Sequence, residues 1–150
     1  MYRGSRGTLI PVTWTSRTSA ADNNWSGVAQ GAGLFAAVAY SGVGDRVMTS
    51  PDGITWTIRV SAADNSWVNV TFARELFVAI AITGVGNRVM TSPDGITWTI
   101  GVSAADNQWR DIVYANNLFV AVSEGGLSAN AVMTSPDGIT WTARAVPVVV

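Results

Sequence analysis

Apolar and polar residues alternate over short stretches of this chain, and the same alternation returns at a fixed interval. Ile96, Trp98 and Ile100 are separated by Thr97 and Thr99, a period of two that predicts a strand with one apolar face and one β-branched polar face. Before it, Ser92-Pro93-Asp94-Gly95 puts Pro second, Asp third and Gly where a left-handed backbone is needed, the signature of a type I turn closed by glycine and so of a tight hairpin. Residues 67–73 and 109–115 read as further strands leading into short turns such as Asn116-Asn117. Residues 34–40, 76–82 and 118–122 are continuous apolar runs, as expected of strands covered on both faces. Glycine-rich turns follow them, at Gly42-Val43-Gly44, Gly84-Val85-Gly86 and Gly125-Gly126-Leu127-Ser128, before a third strand such as 88–91.

The interval organises the whole chain. Met-Thr-Ser-Pro-Asp-Gly-Ile-Thr-Trp-Thr stands unchanged at 48–57, 90–99 and 133–142, and residues 46–67 match 88–109 at all but two of 22 positions. Ser-Ala-Ala-Asp-Asn recurs at 19–23, 61–65 and 103–107, before Trp25, Trp67 and Trp109. Four short antiparallel strands per period of 42 to 43 residues, with no helical periodicity, predict an all-β fold of β-propeller blades, since each repeat is one supersecondary unit stacked on its neighbours. One partial propeller spans 1–150, with blades at 25–59, 67–102 and 109–145. Residues 8–16, ending in Val12-Thr13-Trp14-Thr15, repeat the outer-strand pattern 42 residues before Trp56 and form an N-terminal outer strand.

Composition narrows the chemistry. With 48% hydrophobic and 13% charged residues the chain is built to bury a core. It has no cysteine and no histidine, which removes disulfides, thiolate metal sites and the commonest general base. All nine basic residues are arginine and the net charge is −1, so no basic footprint for nucleic acid or an anionic membrane exists. The expected partners include neither. The first seven residues are polar and no run of 18 apolar residues occurs, so neither a signal peptide nor a membrane span is expected. These features leave the compartment open.

Ser-Pro-Asp-Gly-Ile-Thr-Trp resembles the Asp-box, the Ser-x-Asp-x-Gly-x-Thr-Trp hairpin repeated in sialidase-like and related β-propellers. The resemblance runs through the repeats over residues 8–145, with Gly53, Gly95 and Gly138 following the Asp one residue sooner than in that family. It implies that Ser50, Asp52, Gly53, Ser92, Asp94, Gly95, Ser135, Asp137 and Gly138 form structural turns on the face away from any active site. Independently of it, turn aspartates commonly cap their own hairpins.

Candidate binding residues are the loop pairs Asp22-Asn23, Asp64-Asn65 and Asp106-Asn107 with Trp25, Trp67 and Trp109. Repeated carboxylate, amide and indole groups suit sugar hydroxyls or Ca²⁺, although Asp and Asn are ordinary turn residues and a Trp opening an inner strand commonly packs between blades. A sialidase-like glycosidase needs convergent arginines, a tyrosine and a glutamate. Arg46 and Arg88 give way to Ala131 in the third repeat, Arg17 and Arg59 to Gly101, the glutamates are Glu75 and Glu124 alone, and Tyr40 and Tyr114 fall within strands. No catalytic residue, metal site or cofactor is therefore assigned, and the expected role is a binding or scaffold module.

Closed propellers have about four to eight blades, so three blades would leave two apolar faces bare. Two copies give six blades and three copies nine, which makes a homodimer the expected closure, with a fragment of a longer propeller as the alternative.

Overall fold

The computed structural model describes residues 11–125 and 130–145. Within them lie twelve strands in three antiparallel sheets. Blade 1 is β1 (Trp25–Gly31), β2 (Leu34–Ala39), β3 (Val47–Ser50) and β4 (Thr57–Arg59). Blade 2 is β5 (Trp67–Ala73), β6 (Leu76–Ala81), β7 (Val89–Ser92) and β8 (Thr99–Gly101). Blade 3 is β9 (Gln108–Ala115), β10 (Leu118–Glu124), β11 (Val132–Ser135) and β12 (Thr142–Arg144). In each sheet the spatial order is the chain order, the meander expected of a blade. The first two strands of every blade join through two residues with positive φ, Ala32-Gly33, Arg74-Glu75 and Asn116-Asn117, the mirror-image turn whose twist matches the strands it connects.

Stacking follows from two chemically different faces on each blade. Ala36, Val38 and Val47 of blade 1 meet Trp67, Val70, Phe77, Met90 and Trp98 of blade 2. One period later, Val78, Ile80 and Val89 of blade 2 meet Trp109, Ile112, Phe119 and Met133 of blade 3. Every junction thus seats small aliphatic side chains on an aromatic face. Within the aromatic face Phe72 and Phe77 lie 4.5 Å apart between centroids and Phe77 and Trp98 6.2 Å; Tyr114, Phe119 and Trp141 repeat this at 4.7 and 6.5 Å. Such tilted pairs add to the burial of apolar area.

The ends of the stack keep one face each without a blade. On blade 1 it is the aromatic face, where Trp25, Val28, Ala37, Met48 and Trp56 surround an open apolar cavity of about 340 Å³. On blade 3 it is the aliphatic face: Val120 and Val132 are half-buried and Val122 is exposed. This is why β6 is buried along almost its whole length and β10 is not.

Three features differ from the sequence expectation. The fourth strand begins at Thr99, not Ile96, and the third and fourth strands are joined by residues 93–98 instead of a tight hairpin. Ile96 and Ile100 are exposed and Trp98 alone is buried, because Asp94 captures the backbone amides of Ile96 and Thr97 for the turn. The expected outer strand at 8–16 has residues 8–10 outside the described residues, as are Gly126, Leu127 and Ser128 of the third glycine-rich turn. Residues 11–19 pair with no strand among the described residues, and Val12 is 83% and Trp14 95% exposed.

Candidate functional site at the linker end of the blades

Antiparallel order places the Ser-Ala-Ala-Asp-Asn linkers and the β2–β3, β6–β7 and β10–β11 connections at one end of the stack, and the Ser-Pro-Asp-Gly turns at the other. At the linker end the asparagine serves its own blade. Asn23 Nδ2 donates to Asp45 O at 2.9 Å and Asn65 Nδ2 to Asn87 O at 2.8 Å, and Asn107 Nδ2 donates to Asn130 O. Beneath the amide sits a left-handed glycine, Gly42 (φ 102°) or Gly84 (φ 111°), whose position has no room for a Cβ.

The aspartate serves the preceding blade. Asp64 Oδ1 accepts from Gly44 N and Asp106 Oδ1 from Gly86 N, each at 2.6 Å. Arg46 Nε and Arg88 Nε stand 3.7 Å from the same carboxylates, a separation that in exposed surroundings contributes little by itself. Their stronger role is to hold backbone. Arg46 Nε donates to Gly42 O and Arg88 Nε to Gly84 O, both at 2.9 Å, and Arg88 Nη1 reaches Asn107 O of the next linker at 2.8 Å. Asp64, Asp106, Arg46 and Arg88 together clamp blade to blade. The signal for this clamp in the sequence is an arginine and an aspartate recurring with the same period. Asp22 precedes the first blade and is exposed; among the described residues it meets no such glycine.

The linker tryptophans lie under this surface. Trp67 and Trp109 are fully buried, with Nε1 donating to Ala63 O and Ala105 O at 2.9 and 3.1 Å. Trp25 makes the same bond to Ala21 O at 3.1 Å but is half-buried, on the bare face of blade 1. The structure therefore brings Asp64-Asn65 and Asp106-Asn107, and of the first pair Asn23 alone, to the connections between second and third strands, and separates them from the indole faces of Trp67 and Trp109. The inner strands are where the blades diverge. Gly27, Asn69 and Asp111 are equivalent, and Asn69 Nδ2 donates to Asp111 Oδ1 at 2.6 Å. At blade 3 the linker end carries a polar cavity of about 330 Å³ lined by Asp106, Asn107, Gln108 and Glu124, with Arg110 Nε 2.6 Å from Glu124 Oε2.

At the opposite end each Ser and Asp builds the turn around itself. Asp94 Oδ1 accepts from the amides of Ile96 and Thr97 at 2.8 Å and from the Ser92 hydroxyl at 3.0 Å, and Ser92 Oγ accepts from Gly95 N at 2.8 Å. Asp52 with Ser50 and Gly53, and Asp137 with Ser135 and Gly138, repeat the pattern. The glycines take φ of 73°, 73° and 79°, a region costly for other residues. Trp98 and Trp141 close the turns by donating to Gly95 O and Gly138 O.

Amide donors favour the ionised carboxylate. The amides of Thr55, Thr97 and Thr140, then those of Ile54, Ile96 and Ile139, hold Asp52, Asp94 and Asp137 below the ordinary value of 3.8, Asp137 at about 2. A folded pKa below the unfolded one gives stability that is present above about pH 4 and is lost as pH falls toward 2. The chain is accordingly expected to lose stability steeply between pH 4 and 2, read by urea midpoints across that range, and Asp94→Asn together with Asp137→Asn to flatten the slope. Midpoints indifferent to pH over that window would refute the assignment.

Glu75 lies in the β5–β6 turn and Glu124 at the end of β10, at opposite ends of the stack. Among the described residues no group of three or more acidic side chains stands close enough to hold a metal ion, and no helix is long and apolar enough to cross a membrane.

Three meandering four-stranded sheets stacked face to face define β-propeller blades, and known structures agree. The fold is similar to that of YCF48 from Cyanidioschyzon merolae, with a TM-score of 0.59 and 21% identity over 81% of this chain and 37% of that one. It is also similar to the GH32 beta-fructofuranosidase BmSUC1 of Bombyx mori, with a TM-score of 0.53 and 14% identity over 83% of this chain and 34% of that one. The chain thus spans about a third of the length of either protein, and at these identities the likeness is one of fold. No protein-family model and no curated protein matches the sequence.

Proposed function

We propose that this chain is a non-enzymatic propeller module of Asp-box-like blades that completes its ring with a second copy and acts as a scaffold, offering its repeated linker end to ligands. The observation that carries this reading is the pair of bare end faces. Trp25, Val28, Ala37, Met48 and Trp56 on blade 1 are the repeat equivalents of Trp67, Val70, Ala79, Met90 and Trp98, and Val120, Val122 and Val132 on blade 3 are those of Val78, Ile80 and Val89. One chain therefore ends in the two halves of a junction it already forms twice within itself. Head-to-tail contacts of this kind close into a ring when the rotation permits, and six blades fall in the usual range.

At the linker end, the half-exposed Asp64 and Asp106 carboxylates and the polar cavity of blade 3 suit the hydroxyls of a carbohydrate. Glu75 and Glu124 lie too far apart in the fold to act on one bond, which supports a binding role over a glycosidase. The coverage of about a third of each similar structure favours, as a second reading, blades that belong to a longer propeller. Light scattering on the eluting 150-residue chain decides between them: the expected mass is twice 15.8 kDa, and a monomer at every accessible concentration would sink the self-completing ring.

A further inference from the structure

We infer that the two copies exchange strands, with residues 11–17 of one copy forming the outermost strand of blade 3 of the other in place of that copy's own β12. The inference rests on the ring reading above and names the segment that seals it. Trp14 lies eleven residues before Trp25, the same separation as Trp56 from Trp67 and Trp98 from Trp109. From Ser19 onward the linker repeats the local bonds of the stretch from Ser61, whereas residues 15–17 lie in no strand and 57–59 form β4. Trp25 Nε1 bonds Ala21 O as Trp67 Nε1 bonds Ala63 O, and Asn23 Nδ2 bonds Asp45 O as Asn65 Nδ2 bonds Asn87 O.

Once blade 1 seats on the partner's blade 3 as blade 2 seats on blade 1, this linker carries Thr15, Ser16 and Arg17 into the outer-strand position of the partner. There they coincide with the partner's Thr142, Ala143 and Arg144. Lying outside those residues as a fifth strand would shift the segment by one strand spacing, about 4.8 Å, and end the equivalence of the linkers.

The segment carries the residues that position requires. Val12 and Trp14 match Ile139 and Trp141, and Arg17 matches Arg144 and Arg59, whose Nε atoms donate to Thr134 Oγ1 and Thr49 Oγ1 at 2.9 Å. Val-Thr-Trp-Thr brings the side chains of Ile-Thr-Trp-Thr less one methylene, the amides of Val12 and Thr13 then have to replace those of Ile139 and Thr140 at the Asp137 carboxylate, and exchange of equivalent elements is a low-cost route to a dimer. It also explains why an indole 95% exposed leads into the first blade. The junction between copies has more need of such a tie than the internal ones. Gln30 stands where Phe72 and Tyr114 extend the aromatic face, and Ala131 where Arg46 and Arg88 clamp the next linker.

The chain has no cysteine, so an introduced pair reports the partner of β11 directly. Thr134 lies opposite Thr142 in the β11–β12 register, and opposed residues sit about 4.5–5.5 Å apart between Cα atoms, within reach of a disulfide. Under mild oxidation, Thr15→Cys with Thr134→Cys is expected to give a covalent dimer on a non-reducing gel, and Thr134→Cys with Thr142→Cys to cross-link poorly. A second measurement avoids the introduced cysteines: Trp14→Ala should weaken association about thirtyfold, as for a buried anchor, and Trp141→Ala should leave it unchanged. A dimer by light scattering that links through 134 and 142, or that depends on Trp141 and not Trp14, overturns the exchange and leaves the ring standing. A monomer overturns both.

Discussion

Replacing Trp67 by alanine is expected to lower the unfolding free energy by about 3–5 kcal/mol, the range for deleting a large aromatic side chain from a close-packed core. Trp67 is fully buried between blades 1 and 2, its indole N–H is bonded to Ala63 O, and the cavity would open beside Ala36 and Val38, whose backbones are held in β2. The same substitution one period earlier supplies the control. Trp25 has identical local bonding but no blade over it, so Trp25→Ala should cost about 1–2 kcal/mol in dilute solution, where no second copy covers it. Urea denaturation of both variants measures the contrast. Equal losses would mean that the stability of the chain resides within single blades and not in their junctions.

Gly27→Val is the second large effect, at about 3 kcal/mol of destabilisation. A Cβ on Gly27 would lie 2.8 Å from the Cα of Asn69 and 3.1 Å from Val68 O, backbone atoms that cannot swing aside. Valine would push β1 off β5 and break the bond from Ser26 Oγ to Trp67 O, 2.9 Å long and formed across this junction. Asn69→Val, at the equivalent position of blade 2, already has space for its Cβ and loses the bonds from Asn69 Nδ2 to Asp111 and from Val70 N to Asn69 Oδ1, so it should cost about 1–2 kcal/mol. Urea midpoints for the pair test this, and hydrogen exchange localises the damage: amides of β1 should lose protection in Gly27→Val before those of β9. Similar midpoints for the two variants would show that the close approach at Gly27 is not needed to hold blade 1.

The repeat made the blades legible because a 42-residue period with a tryptophan at fixed phase has one economical architecture, and the antiparallel order of each sheet follows from it. The turns were legible as well, since Asp and Gly at 94 and 95 state their backbone chemistry locally. What alternation hid was how far a turn reaches. Ile96-Thr97-Trp98 has the pattern of a strand, but two strong amide bonds to Asp94 outweigh that propensity, and a short motif gives no sign of it. The cross-blade contacts were hidden for another reason. Asp64 reads as a loop residue because its partner, Gly44, lies twenty positions away in the β2–β3 connection, and the need for glycine at 27 arises only when another backbone comes close. The segment at 11–16 shows the converse case: its strand pattern is plain, yet among the described residues it pairs with no strand.

The strands β3, β7 and β11 are the same tetrapeptide, Val-Met-Thr-Ser. While the chain folds, side-chain chemistry alone gives β2, β6 or β10 no reason to choose one of these over another. The choice falls to chain connectivity, because a strand reached through a short connection loses less entropy than one reached through a further period of chain, a difference of roughly 2 kcal/mol. That margin operates only within a molecule and fades as chains crowd together. The inner strands break the degeneracy: with Gly27, Asn69 and Asp111 at equivalent positions, each blade carries its own address on the one strand that its neighbours press against, so the least repetitive part of the chain is what keeps three nearly interchangeable hairpins in order.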